Sequence, residues 1–219
     1  MRRFWFLIVI GGLGLAVLLA LGGWQLQRLA WKSAVLADIT ARMATPLDGL
    51  PAQPEEARDE YRSLTLEGTV EKGALRVLTS RPPDGPGYRV IAPFRLADGR
   101  RVMLDRGFLP EADKDSTLPA GPDRVEGNLL WPDDVNSFTP APNIERNIWF
   151  ARDVAPMARA LGTEPLLIVA RSESLPGTDP MPVSVNIPND HLEYALTWFA
   201  LAAGWFGMCL YFIAVRRRG

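Results

Sequence analysis

A single histidine and a single cysteine set the limits of the chemistry open to this 219-residue chain. They cannot build an ordinary His/Cys zinc or copper cage, an intramolecular disulfide or a CxxC redox pair. A Ser-His-Asp site would have one histidine and no choice of base. GxSxG, HExxH, GxGxxG and GxxxxGK[ST] are all missing from the sequence, so hydrolase, zincin, Rossmann and phosphate-loop chemistry lack their signals. The expectation is a protein that is not an enzyme. With 24 Lys+Arg against 25 Asp+Glu the net charge is −1, so there is no basic excess to hold nucleic acid. Two acidic spots remain. Asp133 and Asp134 follow Pro132 and read as a solvated turn. Leu104-Asp105-Arg106-Gly107-Phe108 reads as a strand end, with a local ion pair beside a glycine-driven bend.

The histidine, His191, sits where an imidazole could work. It follows Pro188-Asn189-Asp190, and Asn189 or Asp190 can cap a helix that begins there. Helical spacing puts His191, Tyr194, Ala195 and Trp198 on one face, descending into apolar surroundings. An imidazole above aromatic walls offers an amphiphilic metalloporphyrin an axial nitrogen, a greasy slot and nearby water for its propionates. Asp190 or Glu193 could orient the ring through Nδ1. Trp24, from the other end of the chain, could close the slot. The residues equally allow a helix-end histidine that meets lipid headgroups or a loop carbonyl.

The elements that hold this residue are membrane segments. Residues 4–27 and 194–215 are runs of 24 and 22 residues without a charge. About 20 apolar residues in helix span a bilayer core of ~30 Å. The first run exceeds the roughly 7–15 residues of a signal-peptide core, and its helical pattern continues to about residue 43. It is therefore expected to stay as an anchor. Arg2 and Arg3 precede it and Arg216, Arg217 and Arg218 follow the second run, which places both termini in the cytoplasm. The stretch between them holds 19 basic and all 25 acidic residues, an excess of six negative charges, and belongs outside. Arg outnumbers Lys 21 to 3, a habit of GC-rich bacterial genomes, so the expected location is a bacterial inner membrane with a periplasmic domain. Gly12, Ala16 and Ala20 on the first span, with Ala200, Gly204 and Met208 on the second, form stripes along which the helices could pack.

The middle is β-rich. Residues 45–58 hold three prolines and form a linker. Leu64, Leu66 and Val70 alternate as one strand, and Leu75 and Val77 mark a second. Residues 88–96 and 101–109 flank Asp98-Gly99, a strong hairpin signal that makes them antiparallel neighbours. Residues 125–131, 147–152 and 166–170 read as further strands. Residues 153–162 read as a helix, with Asp153 as N-cap and Gly162 as stop. The fold class expected is two transmembrane α-helices flanking one β-rich (α+β) extracytoplasmic domain, a small antiparallel barrel or sandwich. Its domain occupies residues 59–175, followed by a Pro-rich loop at 176–189, the second span at 190–215 and a basic tail at 216–219.

Three stretches then resemble one family. Gly22-Gly23-Trp24-Gln25-Leu26-Gln27-Arg28 with Trp31-Lys32 is similar to the first-helix signature of the surfeit-locus (Shy-one-like) cytochrome c oxidase assembly factors. Gly85-Pro86-Gly87-Tyr88, and Pro93 through Leu104-Asp105-Arg106-Gly107-Phe108-Leu109-Pro110, resemble that family's central hairpin. Asn189-Asp190-His191-Leu192-Glu193-Tyr194-Ala195-Leu196-Thr197-Trp198-Phe199 resembles its closing signature. One departure is Asp105, where the family commonly carries Asn. The resemblance implies a non-enzymatic assembly factor for haem-copper oxidases that binds haem a transiently and assists its insertion into oxidase subunit one. It implies His191 as the axial ligand of the haem iron, with Tyr194, Trp198 and Trp24 around the macrocycle, and brings in haem a synthase as a further partner. The alternative is a membrane scaffold that stabilises subunit one without touching haem. The chain is not the copper chaperone of such a pathway, because it lacks paired thiolates for copper(I).

The arginine distribution generates a first prediction. Alkaline phosphatase fused near Gly121 is active and the same reporter fused after Gly219 is inactive; the reverse pattern would invert the topology.

Overall fold

The structure, a computed structural model, describes residues 2–184 and 188–218. Residues 185–187 of the expected Pro-rich loop lie outside the described residues. The helices are α1 (Arg2–Met43), the single turn α2 (Glu56–Asp59), α3 (Val154–Leu161) and α4 (His191–Arg218). The strands are β1 (Ser63–Val70), β2 (Leu75–Arg81), β3 (Gly85–Leu96), β4 (Arg101–Pro110), β5 (Gly121–Leu130), β6 (Ile148–Trp149) and β7 (Leu167–Ala170). Two compact units result: a helix unit of α1 as far as Asp38 together with α4, and a β unit, Ile39–Ser184. Both α1 and α4 are long and apolar enough to cross a membrane.

In the β unit the sheet runs β1-β5-β7-β4-β3, and β3 returns to pair with β1 through Gly68↔Leu96 and Val70↔Phe94. This closes a five-stranded barrel, which removes the open edges a small sheet would otherwise expose. Strands β2 and β6 extend outward from β3. Leu64, Leu66, Val70, Phe94, Leu104, Leu129 and Ile168 share the buried cluster of the barrel. The alternate residues Ile91, Met103, Leu167 and Val169 form a second cluster, covered by Met157, Ala158 and Leu161 of α3.

The Asp98-Gly99 hairpin forms as expected. Residues Arg95↔Arg101 and Phe94↔Val102 pair across it, the Asp98 carboxylate accepts from Arg100 N at 2.9 Å, and Gly99 takes φ 89°. The barrel is not wholly antiparallel, because β7 lies parallel to β4 while antiparallel to β5. A parallel neighbour needs a long crossover, and the stretch from β5 through α3 supplies it. The strand expected at residues 147–152 shrinks to Ile148–Trp149, since Asn147 enters it at φ 53° with its amide donating to Ala74 O at 2.9 Å. Gly162 stops α3 at φ 64° as read, but Asp153 makes no side-chain cap hydrogen bond.

The irregularity that shapes the barrel lies in β4. Between Ile91↔Asp105 and Arg89↔Phe108, the pair Arg106-Gly107 faces the single residue Val90, which is a β-bulge. Asp105 and Arg106 therefore do not form the local ion pair expected from their adjacency. The Asp105 carboxylate is ion-paired with Arg89, lies 3.9 Å from Arg152, and accepts from Gly107 N at 3.0 Å. Burial pushes its carboxyl up, against the pull of Arg89. Arg106 shares the barrel-interior parity of Val102 and Leu104 and is 1% exposed. Its guanidinium donates to the carbonyls of Ser174, Pro119, Leu175 and Pro176 at 3.1–3.2 Å. Asp134, read from sequence as solvated, is instead held by Arg152 at 2.7 Å, and although burial would raise its carboxyl, that bond keeps it low.

Gly107 is at φ 108°, and a Cβ there would lie 2.0 Å from Asp179 O. That backbone approach carries the bonds Phe108 N to Asp179 O at 2.6 Å and Asp179 N to Phe108 O at 2.9 Å. Gly107→Ala should lower stability by ~2 kcal/mol or more, since it adds a clash to the strain of φ > 0. Gly99→Ala, with positive φ but no atom within 4 Å of a Cβ, should cost only about 1 kcal/mol. Thermal unfolding of the two variants in detergent compares them, and equal losses would refute the close-approach argument.

Candidate functional site

The helix unit is an antiparallel pair whose contacts keep a constant register. Cβ atoms added at Gly11, Gly14 and Gly22 would meet Cys209 Sγ at 2.9 Å, the Trp205 ring at 2.8 Å and the Phe199 ring at 2.7 Å. Trp205 Nε1 also donates to Gly11 O at 2.9 Å. Farther along, Gln25 meets His191, Lys32 Nζ donates to Pro188 O, and Asn189 Nδ2 donates to Ser33 Oγ at 3.3 Å. The two helices pair as expected from their sequence, but through other faces. Gly12, Ala16, Ala20, Ala200, Gly204 and Met208 are all exposed. The seam instead follows a seven-residue repeat, Gly11, Leu18 and Gln25 on α1 against Ala195, Ala202 and Cys209 on α4. A four-residue spacing of small residues fits any face of a helix. Bulky Phe199 and Trp205, which need glycine gaps opposite them, select the face.

This seam explains where the one histidine finds its partner. Gln25 is the next seven-residue step after Leu18, so it points inward and is buried. Its Oε1 lies 2.7 Å from His191 Nδ1. An amide oxygen can only accept, so Nδ1–H donates to it, and in the neutral ring Nε2 would keep its lone pair. Neither Asp190 nor Glu193, the sequence-based choices, takes this role. Asp190 contributes its carbonyl to Tyr194 N at 3.2 Å, and Glu193 O accepts from Thr197 Oγ1 at 2.9 Å. Asn189 does not cap the helix either, since its Oδ1 has no hydrogen-bond partner among the described residues. The orienting residue was visible in the sequence as a polar amide inside an apolar span, a position that costs free energy unless something meets it.

Of the four expected site residues, the structure sets two on the seam and two outside it. His191 and Trp198 are half-buried on the side of α4 that faces α1. Tyr194 is 59% exposed and Trp24 is 52% exposed. Trp24 lies about 100° round α1 from Gln25, so it is not turned toward the imidazole. The arrangement offers an imidazole whose ring is fixed by a buried amide and whose Nε2 meets no hydrogen-bond partner among the described residues. This set of groups fits a metal ion or a hydrogen-bond donor.

The glycine gaps yield a paired prediction. Gly22→Val should drive Phe199 off α1 and lower the melting temperature and membrane abundance of the chain. Gly23→Val, at a position with nothing within 4 Å, should leave both near wild type. Equal behaviour of the two variants would mean that the seam does not follow these glycines.

The SURF1 family model matches residues 13–203. The chain is 32% identical to a SURF1-like protein of Monosiga brevicollis over 93% of this chain and 85% of that one. It is 30% identical to Surfeit locus protein 1 of Rattus norvegicus, over 92% and 74%. A SURF1-like protein of Rickettsia conorii is 28% identical, over 92% and 88%. The matched region takes in α1 from Leu13, the whole β unit and α4 as far as Ala203, so this chain belongs to the SURF1 family, a membership that implies a role in cytochrome oxidase assembly.

Proposed function

We propose that this chain is a haem a-binding assembly factor that assists insertion of haem a into subunit one of a haem-copper oxidase. The observation that carries this reading is the 2.7 Å contact between His191 Nδ1 and Gln25 Oε1. It leaves Nε2 as a pre-oriented ligand at the head of a membrane helix. The haem iron would take that nitrogen, and Trp198 and Tyr194 provide aromatic surface beside it. The haem would supply the redox-active iron, and the protein's part would be to bind, orient and release it. Trp24 serves as an interface anchor, with Arg28 stacked over Trp31 at 4.5 Å on the same helix. His191 alone would hold the iron from the protein side, and a single protein bond would suit a carrier that must release its cargo. The partners are subunit one as acceptor and haem a synthase as source. The setting is a bacterial inner membrane, with both termini cytoplasmic and the β unit periplasmic.

The test is purification from cells that make haem a, followed by a visible spectrum. His191→Ala, at normal abundance and membrane insertion, should lose most co-purifying haem and shift the Soret band of any that remains. Gln25→Leu removes only the orienting acceptor and should weaken haem retention by roughly 10-fold, with the ligand still present. A wild-type spectrum and stoichiometry in His191→Ala would defeat the reading and leave a scaffold that holds subunit one without touching haem.

A further inference from the structure

The bulge in β4 places a cation where the haem reading has no use for it. Arg106 lines a cavity of about 300 Å³ at one mouth of the barrel. A guanidinium has five N–H donors. Four hydrogen bonds to carbonyls leave one N–H of Nη1 without a protein acceptor among the described residues. Among the described residues no carboxylate is hydrogen-bonded or ion-paired to the group. Burial lowers its affinity for the proton and Asp123 offsets that only through space. A buried cation ringed by neutral carbonyls creates a positive potential that an anion can answer.

The rim carries the same sign. Lys72 and Arg76 line the cavity, and neither is in an ion pair among the described residues. Exposed Ser116 and Thr117 also line it. Glu71 is the one carboxylate in the lining, and both its oxygens are taken: Oε1 by Arg95 at 2.7 Å and Oε2 by Arg101 at 2.9 Å. Burial would raise its carboxyl, but these two bonds outweigh it and hold Glu71 ionised. The lining therefore carries three cations against one anion that is already neutralised.

We propose that this barrel mouth binds a phosphate dianion, with Arg106 as its floor and Lys72 and Arg76 as its rim. The mouth of a small barrel is a usual place for a ligand. Arginine and lysine side chains with hydroxyls at the edge suit tetrahedral oxygens. The phosphate group is that of a free ion or of an anionic lipid headgroup, and these two sources are separable by experiment. The site uses none of the residues around His191, so it stands whether or not haem binds there.

The probe is inorganic phosphate added to the full chain in phosphatidylcholine nanodiscs, with sodium chloride at matched ionic strength as control. At 10 mM, phosphate should raise the unfolding temperature of the β unit by ~3 °C and broaden its own 31P resonance. The double variant Lys72→Gln/Arg76→Gln changes only rim side chains that make no ion pair. It should match wild type without phosphate and lose both responses. In nanodiscs containing phosphatidylglycerol, suppression of the wild-type response identifies a headgroup as the occupant, and its persistence identifies free phosphate. A wild-type chain that does not respond in phosphatidylcholine, or a double variant that responds equally, overturns the proposal.

Discussion

Close backbone approach at glycine is the constraint on which both units depend. In the helix unit, Phe199 and Trp205 occupy volume that any side chain at Gly22 or Gly14 would need. Only because these rings seat in glycine gaps can α1 and α4 run close enough for Gln25 to reach His191 at 2.7 Å. In the β unit, Gly107 lets the backbone at Asp179 lie directly on the bulge of β4. That contact returns the segment after β7 to the barrel end, where the carbonyls of Ser174, Leu175 and Pro176 converge on Arg106. In each unit a missing side chain sets the position of a polar group elsewhere, one a ring nitrogen and the other a guanidinium.

The charge economy of the β unit follows from its preference for arginine. An ammonium offers three donors from a single point, whereas a guanidinium spreads five over a planar fork. Arg106 can therefore gather carbonyls from two separate segments, and Arg100 can grip Glu164 through Nε and Nη2 at 2.9 and 2.7 Å while Nη1 donates to Pro51 O at 2.8 Å. Asp59 is a further case, buried yet kept below the usual carboxylate range chiefly by its hydrogen bond from Arg58. These bonds tie loops and linker to the barrel. Their worth lies in fixing positions, since exposed ion pairs contribute little to stability.

Local patterns in the sequence were legible wherever one physical signal acted alone. Alternation at Leu64 and Leu66, the Asp98-Gly99 turn, and the two uncharged runs each depend on a short window, and each appears as an element where it was read. The closed barrel with its β4–β7 parallel pair was not legible, because parallel register is set by where a crossover lands. The opposite fates of Asp105 and Arg106 were hidden for a similar reason. Adjacent residues of opposite charge suggest a pair, but a strand sends neighbours to opposite faces and the bulge fixes which face each takes. In the candidate site, His191 stood out by being the chain's sole histidine. Its partner did not, since Gln25 lies 166 residues away in sequence and only the helix seam brings it near.

The identity of that partner bears on how His191 would hold a metal. A carboxylate on Nδ1 makes an imidazole more basic and a stronger ligand, and it brings a negative charge into an apolar layer at considerable cost. Gln25 fixes the tautomer and the ring plane with a neutral oxygen instead. It thus supplies orientation with little added donor strength, and its burial needs no counter-ion. Ligand strength and ligand geometry are separable in this way, because the first depends on the charge of the partner and the second on the direction of one hydrogen bond. A protein that must take up a cofactor in a defined pose and then surrender it to another protein needs the geometry without the strength. Under the haem-carrier proposal, the amide at position 25 supplies that combination.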